Sequence, residues 1–93
     1  MDKAKQVELL KQRLDEIPYL RALHFKNGEF AAWKNKVCQI LDLDYGKESA
    51  EYRRFVNAPG KAFPIRTELG QEQEYGRQLD CYVEVLKSLV SSN

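Results

Sequence analysis

Apolar residues recur at helical spacing along most of this chain. Val7, Leu10, Leu14 and Ile17 follow one another at intervals of three, four and three, a narrow stripe on one face of a helix over about 3–17. Asp2 stands where an N-cap would. Leu9 falls off the stripe and is expected in solvent. Pro18 lacks an amide hydrogen and pushes Ile17 out of α geometry, so this helix should end or kink there. Proline also suits a first helical position, which predicts a short second piece over 19–24.

Asn27-Gly28 is a turn signal with helical pattern on both sides. The next helix is predicted over 29–44, with Phe30, Trp33, Val37, Ile40 and Leu41 inward. Gly46 follows as a left-handed C-terminal residue. Ser49 should cap a short helix carrying Tyr52, Phe55 and Val56. Residues 57–66 hold two prolines and a glycine and read as the longest loop. Thr67 is the next N-cap, with Glu68 at the positive end of the helix it opens.

That last helix, about 68–90, has the widest apolar face. Leu69, Tyr75, Gly76, Leu79, Tyr82, Val83, Leu86, Leu89 and Val90 span an arc of roughly 160° at helical phasing. One packed neighbour covers less, so the helix should lie between two neighbours or share its face with another chain. Tyr75, Tyr82 and Leu89, spaced by seven, form the edge expected to be left over as a contact surface, through a homodimer or a protein partner. The rival is that the loop, through Phe63 and Ile65, folds over this stripe. Gly76 is placed for close approach of another helix or of Trp33.

These elements predict one all-α domain over 1–93, a small bundle of three main helices plus one or two short ones. Its expected core is Trp33, Leu41, Leu79, Val83 and Leu86. Period-two alternation and internal repeats are absent from the sequence. No stretch approaches the ~20 apolar residues of a membrane span, and the opening residues do not read as a signal peptide. The expected setting is therefore the cytoplasm, without membrane contact, with Cys38 and Cys81 as free thiols.

A net charge of +1 gives no overall attraction to nucleic acid, but the charge is unevenly spread. Residues 47–66 carry five cations against two carboxylates, and residues 67–93 two against five. Arg53, Arg54, Lys61 and Arg66, interleaved with Tyr52, Phe55 and Phe63, form the alternative site, for weak nucleic-acid or phospholigand binding.

Candidate chemistry is sparse. His24 is the only histidine, so a two-histidine metal site is impossible within one chain. The cysteines lack CxxC spacing, and neither kind of glycine-rich phosphate loop is present. Glu68 and Glu72, one turn apart, suit a cation but read better as solvated helix surface. His24 reads as a surface or boundary residue. No metal, cofactor or catalytic residue is expected, and the chain is expected not to be an enzyme.

Within residues 30–55, Phe30, Trp33, Lys34, Leu41, Gly46, Ser49 and Phe55 form a pattern: an aromatic before Trp-Lys, an apolar helix ending in glycine, and a serine-capped helix. It resembles the N-terminal helical modules of prokaryotic defence-associated effector proteins, and departs from them in having no effector domain behind it. The resemblance implies a non-catalytic module for oligomerisation or partner contact. The expected function is thus helical interaction or self-association.

Overall fold

The computed structural model describes residues 3–60 and 65–91. It contains α1 (Lys3–Asp15), α2 (Ile17–Ala22), α3 (Glu29–Asp44), α4 (Ala50–Val56) and α5 (Glu68–Ser91), with no strand among the described residues. The fold is the all-α bundle of three main and two short helices. Asp2, Lys61 and Phe63 lie outside the described residues.

Local chemistry sets the boundaries. The Ser49 hydroxyl accepts from the Tyr52 amide at 3.1 Å, and the Thr67 hydroxyl from the Gly70 amide at 3.0 Å. Asn27 opens α3 in the same way, accepting from the Phe30 amide at 2.9 Å. Gly46 closes α3 at φ 89°, a left-handed conformation that glycine adopts without penalty. Only Glu16 separates α1 from α2, and it keeps helical dihedrals, φ −81° and ψ −11°. Pro18 lies in the first turn of α2, where its missing amide costs nothing.

The interior is organised by aromatic rings between α3 and α5. Phe30 meets Tyr75 edge-on at 5.2 Å and Tyr82 at 5.8 Å. Trp33 stands 6.0 Å from Phe55 of α4 and 6.3 Å from Tyr82. These bulky rings hold the backbones of α3 and α5 apart, and α1 and α4 each pack against both. Trp33 is buried, and its indole N–H donates to the Arg13 carbonyl at 2.9 Å, near the end of α1, where that carbonyl also accepts from the Glu16 amide at 3.3 Å. Leu41, Leu79 and Leu86 are buried as expected, whereas Val83 is only half-buried.

The expected outer stripe is not outside. Tyr75, Tyr82 and Leu89 are 9%, 6% and 5% exposed, so they are core and present no contact surface. Val85, absent from the predicted arc, is also buried, and Leu69, placed within it, is 65% exposed. The buried residues of α5, Tyr75, Leu79, Tyr82, Val85, Leu86 and Leu89, centre on Tyr82, roughly 60° round the helix from the centre of the predicted arc, with Gly76, Val83 and Val90 only half-buried. Gly76 makes no close approach: a methyl group there would meet nothing within 4 Å.

Helix α1 is seated in conflict with its own pattern. Its two buried residues are Gln6 and Leu10, while Val7 and Leu14 of the expected stripe are half-buried. Leu9, expected in solvent, is half-buried too. The Gln6 side chain is fully buried, and neither its carbonyl nor its amide nitrogen finds a partner among the described residues. Burying one leucine contributes about 1.5–3 kcal/mol. Orphaning one buried polar group costs about 1–3 kcal/mol. At the level of these two side chains, α1 is held by very little.

Candidate functional site

Two recesses adjoin Phe25, in the turn between α2 and α3. The carbonyl of Leu20 accepts from the Tyr75 hydroxyl, which itself accepts from the Asn27 side-chain amide at 3.1 Å. Arg21 pairs with Asp80. These bonds lay the α2–α3 turn along the N-terminal half of α5. Phe25, half-buried and stacked on His24 at 4.3 Å, stands between two recesses. One, of about 260 Å³, is lined by Phe25, Ile65, Gln71, Glu74, Tyr75 and Gln78. The other, of about 440 Å³, lies among residues 21–25, Glu72 and Tyr75. Both are lined by Phe25 and Tyr75 together with amide or carboxylate side chains.

Glu74 is not a free charge in that lining. The Arg77 guanidinium engages both its oxygens, one at 2.9 Å, and holds its carboxyl below the usual carboxylate range. The same pairing raises Arg77.

His24 joins Glu68 and Glu72 in one exposed group, with donor atoms all within 4.8 Å of one another. The sequence offered the two glutamates as a pair, and the fold adds the histidine. The Lys26 amide donates to His24 Nδ1 at 3.2 Å, so a neutral ring carries its proton on Nε2, which faces Glu68 at 3.4 Å. A protonated Nε2 has no lone pair for a metal. The group as arranged is a polar clasp between the α2–α3 turn and the first turns of α5.

The basic set is only partly assembled. Arg53 and Arg54 are exposed on α4 and line one shallow recess with Glu48, Ala50 and Asn57. Arg54 also reaches the Ser88 hydroxyl at 3.3 Å. Neither arginine forms an ion pair among the described residues. Arg66 is exposed beside the start of α5 and does not line that recess.

The thiols are both half-buried and free. Burial pushes the Cys38 thiol up, against the opposing pull of a hydrogen bond from Tyr52 and the nearby Lys34 charge. Cys81 has the Arg77 guanidinium 3.8 Å away.

No protein-family model matches the chain, and no curated protein and no solved structure matches it either. Sequence reasoning missed Phe25 as a surface feature. The signal was an aromatic next to an Asn-Gly turn, where the chain reverses and a ring rarely finds a full core.

Proposed function

We propose that the chain is a non-catalytic helical module for protein contact or self-association. Phe25 supports this reading: a half-buried ring between two recesses whose linings offer Gln71, Gln78 and Glu72 suits a short protein segment. Glu72 in one lining favours a segment with a basic residue. The resemblance to helical modules of defence-associated effectors accommodates this role in the cytoplasm. No helix among the described residues is long and apolar enough to cross a membrane.

The test is co-purification from cells expressing the tagged chain, compared with Phe25→Ser and Glu72→Lys variants that keep their helical circular dichroism. Partners specifically lost with both variants support the groove. An identical set with parent and variants sinks it.

A second reading rests on Arg53 and Arg54 of α4, which form no ion pair among the described residues, as a weak site for nucleic acid or a phosphorylated ligand. Binding to mixed oligonucleotides should then weaken steeply with salt, and Arg53→Ala with Arg54→Ala should flatten that dependence. Binding unaffected by the pair would exclude α4 as the contact.

A further inference from the structure

The seam between α3 and α5 is the least self-sufficient part of the bundle. Val37, Leu41, Leu79 and Leu86 are fully buried, yet the aromatic rings prevent α3 and α5 from closing directly on each other. Helix α1 packs against both. Its fully buried side chains are one leucine and a glutamine with no hydrogen-bond partner among the described residues, while Val7, Leu9 and Leu14 are only half-buried. Local pattern and global packing disagree here, which marks α1 as the element that leaves first. On leaving, Gln6 regains water on both amide atoms.

The hinge is suited to such a movement. Glu16 is the one residue between α1 and α2, so a change of its dihedrals alone re-aims α1. The open chain then carries α1 away from its own seam. An occupant that fits the vacated seam is known, because α1 itself fits it. A second copy supplies the same helix, and reciprocal exchange restores every contact that opening breaks.

We propose that α1 is an exchangeable helix: it swings out at Glu16, and α1 of a second copy enters the seam between α3 and α5. This rests on the reading of the chain as a self-association module and names its partner and surface. Unlabelled chain and chain uniformly enriched in heavy isotopes are mixed at high concentration and followed by native mass spectrometry and amide hydrogen exchange. Mixed dimers should appear slowly, at the rate at which α1 opens. The α1 amides should exchange at least tenfold faster than those of α5 around Leu79 and Leu86. Gln6→Leu should slow both processes about tenfold by removing the polar group that gains on opening, and Gln6→Met, unbranched and similar in size, should do the same. A chain monomeric at every concentration, or α1 amides protected as long as those of α5, would overturn the proposal. Dimers that form within the mixing time and ignore Gln6 would also overturn it, as contacts between closed chains, while leaving the interaction reading intact.

Discussion

Trp33 concentrates several jobs in one side chain. It fills the space between α3, α4 and α5 and its N–H anchors the end of α1. Trp33→Ala should cost about 3–5 kcal/mol, a large share of the stability of a domain this size. Its fluorescence in the folded chain should be blue-shifted. A solvent-like emission maximum would contradict its burial. The cysteines allow a comparison of neighbours that differ in environment. Burial disfavours the thiolate of Cys38. A thiol reagent should therefore modify Cys81 first in the absence of denaturant, read by peptide mapping at short times. Equal rates would show that this environment does not persist in solution.

Among the elements, start and stop chemistry was the most legible part of the sequence. Ser49, Thr67 and Gly46 do locally what their residue types predict, because a cap depends on only three or four consecutive residues. Facing was less legible. On α1 a glutamine took the place of a valine, and on α5 the buried face takes in Val85 while Leu69 is exposed and Val83 and Val90 are half-buried, since a helix is rotated by its neighbours as well as by its own stripe. The group around His24 was invisible because it joins residues 44 apart in sequence. The corrected face of α5 changes what its variants should do. Tyr82→Glu and Leu89→Glu should unfold the chain, because each buries a carboxylate in the core. A folded variant of lower mass would restore the stripe as an interface. The two glycines of α5 should respond in opposite directions. Gly76 faces open space, so Gly76→Ala should stabilise by about 0.5–1 kcal/mol through helix propensity. A methyl at Gly70 would come within 2.6 Å of the Ile65 side chain and 2.7 Å of the Thr67 hydroxyl that caps the helix, so Gly70→Ala should destabilise. Paired thermal melts check both.

For the whole molecule, the aromatic cluster is a chemical as well as a steric link, because one of its members ionises. Tyr82 joins Phe30 and Trp33 of α3 to Phe55 of α4, the last at 4.7 Å. Burial raises its hydroxyl above the ordinary tyrosine value, and the nearby Cys38 and Cys81 add to the shift when they ionise. In the unfolded chain the same hydroxyl releases its proton at about pH 10. Where the folded value is the higher, the unfolded state sheds the proton first, and the stability linked to Tyr82 is complete only below that pH. As pH climbs from there toward the folded value, that stability is lost. Every element meeting at the cluster should feel it, so α3, α4 and α5 are expected to melt together in alkali. Monitoring helical circular dichroism alongside tyrosinate absorbance should show one cooperative loss above about pH 10, with Tyr82 ionising as the helices go. In Tyr82→Phe, which keeps the ring and removes the titrating group, the alkaline midpoint should move to higher pH. An unchanged midpoint would place the alkaline weakness elsewhere, with Cys38 and Tyr52, both also raised, as the next pair to replace.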